Sequence, residues 1–198
     1  PSRLLAAEYG CKVTGLDLTE AYCDVAQMLA ARLGLGGLVD YRQGDALALP
    51  FDDGQFDVVW SQHAAMNIAD KARLYSEMTR VLKPGGTVAI YDILAGSGGP
   101  VIFPVPWARE PAISFLAEPA EWRRLLEGQG LEVIHWRDTT ALGRDWFRGV
   151  VERNKKSGPS PLGFQVLLGP GFAQMAQNQL LNLEQDRVVL IETVCRKR

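Results

Sequence analysis

"CKVTGLDLTE", residues 11–20, decides how the rest of the chain is read. Its apolar residues run to Leu16 and stop at Asp17, and helix-forming residues begin a few positions later. This is the pattern of a buried strand that turns into a helix. A strand is therefore expected over 12–17. Thr19 is placed to cap a helix over 21–33, in which Val25, Met28, Leu29 and Leu33 recur at helical spacing. Ahead of the strand, "PSRLLAAEYG" reads as the end of a helix over 3–9, with Gly10 as its C-cap.

Working outward, the same rhythm repeats. "LVDYRQGDA" (38–46) is a second strand ending at Gly44 and Asp45. "LPFDDGQ" (49–55) is a turn of Pro, Asp and Gly. "FDVVWSQ" (56–62) is a third strand. Residues 67–83 form a helix with Leu74, Met78, Val81 and Leu82 on one face. "PGG" (84–86) stops it, and "TVAIYDIL" (87–94) is a fourth strand. Strands that alternate with helices predict an α/β fold with a parallel sheet. After Leu94 the rhythm breaks into a long loop, "AGSGGPVIFPVPWAREP" (95–111). A helix over 117–130 and a strand over 131–140 follow. Residues 141–184 carry helical pieces broken by "SGPSPLG" and "GPG". A last strand over 186–198 is expected antiparallel to the one before it. The whole is read as a single domain, 1–198.

Composition sets bounds on function. A net charge of −2 supplies no basic field for nucleic acid or for an anionic membrane. No apolar run approaches the about 20 residues of a membrane span. Three scattered cysteines, Cys11, Cys23 and Cys195, form neither a metal spacing nor a disulfide framework, which suits a reducing cytoplasm. No metal site is expected. The sequence leaves the oligomeric state open.

Chemistry is expected beyond the carboxyl ends of the strands, where ligands of open parallel sheets lie. Asp17, Asp45 and the run Ser61-Gln62-His63 sit there. A carboxylate at Asp17 has two acceptor oxygens for a ribose diol. Asp45 could take the exocyclic amine of an adenine, with Ala46 and Leu47 covering the ring. The plainer alternative is that Asp17 caps a helix and Asp45 closes a turn.

"CKVTGLDLT", "GDALALPFDDGQFDVVWSQ" and "EMTRVLKPGGTVAIYDI" together resemble the class I S-adenosylmethionine-dependent methyltransferases. "PVPWA", "SFL" and "RRLLEGQGLEVIHWRDTT" resemble the small-molecule group around the sarcosine/dimethylglycine and phosphoethanolamine enzymes. The resemblance implies a Rossmann-like, mostly parallel sheet with an antiparallel C-terminal strand. It implies S-adenosylmethionine as cofactor, with Asp17 and its neighbour Leu18 at the ribose, Asp45 and Ala46 at the adenine, and Ser61 and Gln62 at the methionine end. The family also carries a strand and a glycine-rich loop ahead of its first helix. Neither is found here, so the expectation is an N-terminally incomplete domain whose first strand is missing.

The turn after the third strand selects the chemistry. Phosphobase relatives place an acid and then a catalytic His there. In "SQHAAMNI" those positions hold His63 and Asn67, so that catalytic His does not carry over. His63 is instead the candidate for acid/base work or for acceptor contact, against the alternative of a structural His. His135, inside a strand, reads as a packing residue. Asn67, Tyr91 and Trp107 are the further acceptor-pocket candidates, and Asp92 could face the same space. Residues 97–110 and 141–184 are expected to roof the pocket, with Trp146, Phe147, Phe164 and Met175 more typical of core. The reaction expected is methyl transfer to a small-molecule acceptor, an amine being one candidate. The competing readings are an inactive cofactor-binding or scaffold protein and a Rossmann-type oxidoreductase.

Overall fold

The structure is a computed structural model that describes residues 1–158 and 161–198. Pro159 and Ser160, in the expected "SGPSPLG" break, lie outside the described residues. The chain folds as two units, Pro1–Asp52 and Asp53–Arg198.

The first unit is α1 (Ser2–Tyr9), β1 (Val13–Asp17), α2 (Glu20–Arg32) and β2 (Val39–Gln43), with β1 and β2 parallel. Gly10 ends α1 in the left-handed region at φ 65°, and its N–H donates to the Ala6 carbonyl at 3.1 Å. Glycine adopts this conformation without the steric cost that a Cβ would bring. Thr19 stands at the N-cap of α2 but makes no side-chain cap bond. A small core of Ala6, Ala30 and Val39 holds the helices to the sheet, flanked by Val13, Leu35, Leu38 and Tyr41. Gly15 is required by packing, because a Cβ there would lie 2.6 Å from the Tyr41 ring.

The second unit runs β3 (Phe56–Gln62), a 3-10 turn (Ala65–Asn67), α3 (Lys71–Val81), β4 (Leu82–Ala95), α4 (Pro119–Gly128), β5 (Leu131–Asp138), α5 (Thr140–Ser157), α6 (Gln165–Leu168), α7 (Phe172–Glu184) and β6 (Val188–Lys197). Its strand order is β3-β4-β6-β5. β3 pairs parallel to β4, while β6 runs antiparallel to both of its neighbours. The expected antiparallel C-terminal strand is therefore present, inserted between β4 and β5.

Two boundaries differ from the sequence reading. The helix expected from residue 67 begins at Lys71, where the Asp70 carboxylate caps it by accepting the Arg73 N–H at 2.9 Å. The residues before it form the separate 3-10 turn. "PGG" does not separate helix from strand, because β4 starts at Leu82, directly after α3. It bulges instead: β3 advances from Phe56 to Val58 while β4 advances from Leu82 to Thr87. Gly85, at φ 73°, supplies the left-handed step. A Cβ on Gly86 would lie 2.9–3.0 Å from the Lys83 and Asp57 carbonyl oxygens, so the bulge closes only around glycine.

α4 buries Trp122 and Leu126, one turn apart, and the Trp122 indole donates to the Tyr75 hydroxyl of α3 at 2.5 Å. A second cluster, Met66, Ile93, Leu183, Val188 and Leu190, lies under Tyr91, Val101, Trp107, Leu116 and Phe147. Met175 is buried, as expected of core, but Trp146 and Phe164 are about half exposed and stack edge to face on the surface of this unit. No helix among the described residues is long and apolar enough to cross a membrane.

Candidate active site

In the first unit, Asp17 and Asp45 stand at the carboxyl ends of adjacent parallel strands. Asp17 pairs with Gln43 at the end of the ladder, and the Gly44 N–H donates to the Asp17 carbonyl at 2.9 Å. Each carboxylate closes its own turn with one oxygen. Asp17 Oδ1 accepts the Thr19 N–H, and Asp45 Oδ1 accepts the Leu47 N–H, both at 2.8 Å. Each Oδ2 is left without a hydrogen-bond partner among the described residues. The turn-closing role and a ligand role are thus compatible in the same side chain. Leu18, next to Asp17, is 69% exposed, an apolar side chain left in solvent beside an open acceptor. Ala46 is half-buried. This set of groups suits a ribose diol and an adenine: acceptors for hydroxyl and amine protons, and apolar surface for a ring.

In the second unit, Ser61 and Gln62 end β3, and His63 follows in the left-handed region at φ 52°. A non-glycine residue is uncommon there. It is held by its N–H, which donates to the Tyr91 carbonyl at 2.9 Å, and by its ring, 4.6 Å from that of Tyr91. Desolvation keeps the imidazole pKa below the ordinary histidine value, which favours a neutral ring at pH 7. The Tyr91 hydroxyl accepts from Thr139 Oγ1 at 3.4 Å.

Four expected positions are revised. The Asn67 amide nitrogen is committed to the carbonyls of Trp107 and Ile113, each at 2.9 Å. Asn67 thus tethers the 105–115 loop and has only its oxygen to offer an acceptor. Trp107 does lie over the Tyr91 cluster, but its indole N–H is used by Ser114 Oγ at 3.0 Å. His135 is exposed rather than packed, its Nε2 3.5 Å from Glu192 Oε1 on the neighbouring strand. Asp92 does not open onto a pocket either. It is 1% exposed, with Oδ2 accepting the Ala65 N–H and Oδ1 accepting the Ile93 N–H, both at 2.9 Å. Burial pushes its carboxyl up to about 6. The sequence reading missed Lys71, 8% exposed, whose ammonium donates to the carbonyls of Ala65 at 2.7 Å and Ile68 at 2.9 Å.

A parallel β/α frame with acids at its strand ends and an antiparallel strand inserted beside β4 is the fold of the class I S-adenosylmethionine-dependent methyltransferases. Residues 1–90 match the methyltransferase domain family. The chain is 34% identical over 137 residues to a glycine/sarcosine/dimethylglycine N-methyltransferase of Actinopolyspora halophila, covering 69% of this chain and 24% of that protein. It is 30% identical over 158 residues to a sarcosine/dimethylglycine N-methyltransferase of Halorhodospira halochloris, covering 79% and 57%. Among solved structures, phosphoethanolamine N-methyltransferase 2 of Haemonchus contortus, in complex with S-adenosyl-L-methionine, superposes with a TM-score of 0.83. Its identity is 22%, over 98% of this chain and 45% of that one. The chain thus spans from about a quarter to a little over half of these two curated relatives.

Proposed function

We propose that the protein transfers a methyl group from S-adenosylmethionine to a small-molecule acceptor. The observation that carries this reading is the pair of strand-end carboxylates, Asp17 and Asp45, each with one oxygen fixed in a turn and the other open. In this reading Asp17 with Leu18 holds the ribose, Asp45 with Ala46 the adenine, and Ser61 and Gln62 serve the methionine end. When bound, the cofactor would supply an electrophilic methyl group on a sulfonium, whose C–S bond breaks as an acceptor lone pair bonds in line to the methyl carbon, the sulfur leaving as a neutral thioether. Such a displacement requires alignment and exclusion of water more than a strong base. His63 contributes a neutral imidazole that can take the proton the acceptor sheds. Tyr91 and Trp107 supply apolar wall, and residues 97–110 with part of 141–184 act as the lid. Three free thiols, Cys11, Cys23 and Cys195, favour a reducing, cytoplasmic setting.

The two curated relatives named above are N-methyltransferases of small amines, so amines are the first acceptors to try. Transfer of a labelled methyl group to sarcosine, to dimethylglycine and to phosphoethanolamine tests the reading. Labelled product with any of them supports it. Cofactor binding without transfer to any acceptor would favour the inactive binding protein, and binding of NAD in its place the oxidoreductase.

A further inference from the structure

The 3-10 turn Ala65–Asn67 lies in the segment that joins His63 to α3, and it is gripped from both sides by buried charge. Asp92, from β4, accepts the Ala65 N–H at 2.9 Å. Lys71, from the first turn of α3, donates to the Ala65 carbonyl at 2.7 Å and to that of Ile68 at 2.9 Å. Both side chains are more than nine-tenths buried. From the other face of the turn, Asn67 holds the carbonyls of Trp107 and Ile113, and the Met66 carbonyl accepts the Phe115 N–H at 2.8 Å. One short turn therefore joins two buried charges to the acceptor-side histidine and to the loop that carries Trp107.

We infer that Asp92 and Lys71 are positioning residues, which together fix the 63–67 turn and, through Asn67 and Met66, hold the 105–115 loop in place against it. Neither residue touches acceptor or cofactor in this account. They act through Ala65. Simple packing does not explain the choice of residues, since two apolar side chains would fill the same space without the cost of burying charge. What charges supply is directional: an acceptor fixed on one N–H and a donor fixed on two carbonyls. Both Asp92 oxygens face N–H donors, those of Ala65 and Ile93, an arrangement suited to the ionised carboxylate. Protonation places a hydrogen on one of those oxygens and weakens the hold on Ala65. The charged and titratable groups acting on Asp92 are few. Lys71 and Tyr75 face it from α3, while Glu121 of α4 acts on Lys71. His63, at the start of the turn, is a further titratable group, its pKa lowered by desolvation.

The significance for acceptor alignment rests on the methyltransferase reading, but the test does not require turnover. Hydrogen exchange is followed by mass spectrometry on peptides covering 63–68 and 105–115, in the wild-type protein and in Asp92→Asn and Lys71→Met. Losing a hydrogen bond to a charged group predicts exchange faster by roughly 10- to 100-fold in both segments, with α5 and α7 unchanged. Folded variants whose two segments exchange as in wild type would overturn the inference. So would acceleration confined to 63–68, because it would show the loop to be held independently. Should a variant fail to fold, the wild-type protein is compared between pH 7.5 and pH 5, after correction for intrinsic exchange. Protection in both segments then falls with a midpoint near 6, and His63→Gln retains that midpoint. A flat profile, or a midpoint that disappears with His63, would overturn it equally. Absent methyl transfer with the exchange pattern intact would refute the proposed function and leave the clamp standing.

Discussion

The His63 ring lies 4.6 Å from the Tyr91 ring while the His63 N–H donates to the Tyr91 carbonyl at 2.9 Å. The same residue is thus fixed by backbone and side chain to one position on β4. This double hold keeps a non-glycine residue at φ 52°, a conformation that costs about 1–2 kcal/mol outside glycine. His63→Gly removes the imidazole and the strain together. Its melting temperature should stay close to that of wild type while methyl transfer falls by about 10²-fold or more, the usual contribution of general acid–base catalysis. A variant that keeps full turnover would return His63 to a structural role.

The pH profile follows from two groups of opposite sign. Desolvation lowers the His63 pKa in the folded protein. Its contribution to stability is therefore present above the unfolded value of about 6.5 and is lost as pH falls through the lower folded value. Asp92 behaves in reverse. Its folded pKa is raised from 3.8 to about 6, so its contribution is fully present below about pH 4 and is lost as pH rises through about 6, on the order of 3 kcal/mol in all. Global stability measured by denaturant titration should therefore fall between about pH 4 and pH 6 on account of Asp92. Asp92→Asn should flatten that slope. Protonation relieves a buried charge even as it loosens the grip on Ala65, so global stability and local order move in opposite directions.

Asn67→Ala removes both tethers to the 105–115 loop. At about 1 kcal/mol for each neutral hydrogen bond, limited proteolysis should cut this loop several-fold faster while the unfolding midpoint changes little. Unchanged cleavage would mean that the apolar contacts of Trp107 hold the loop without help.

Gly86→Ala tests the bulge in β4. A Cβ there meets the Leu82 side chain at 2.7 Å and two backbone carbonyl oxygens at 2.9–3.0 Å. Overpacking of this kind costs about 1–3 kcal/mol, which is readable as a lower unfolding midpoint. Gly37→Ala, with nothing within 4 Å of the added Cβ, should be tolerated.

The β/α rhythm is legible in residues 3–62 because period and turn residues agree there: the apolar run to Leu16, the Gly10 cap and the Asp-Gly turn all point to one answer. "LKPGG" was misread as a stop because Pro and Gly usually end elements, and only the pairing of β4 with β3 turns them into a bulge. His135 was misplaced because a strand pattern does not say which face meets solvent when the sheet is covered unevenly. The tethering role of Asn67 left no local signal, since its partners, Trp107 and Ile113, lie 40 and 46 residues away in sequence. Asp92 left a trace in the sequence: an acid inside the apolar run "AIYDIL" is a polar residue at a core position. Lys71 left none, because a lysine in the first turn of a helix ordinarily faces water.

The central claim is that the carboxyl ends of β1 and β2 bind S-adenosylmethionine through Asp17. Calorimetric titration of S-adenosylmethionine into the protein and into Asp17→Ala measures this directly, with NAD as the competing ligand. The account predicts saturable binding of S-adenosylmethionine, none of NAD, and a loss of about 1.5–3 kcal/mol in Asp17→Ala, the range for a hydrogen bond to a charged group. Equal affinity in the variant, or heat with NAD alone, would contradict it.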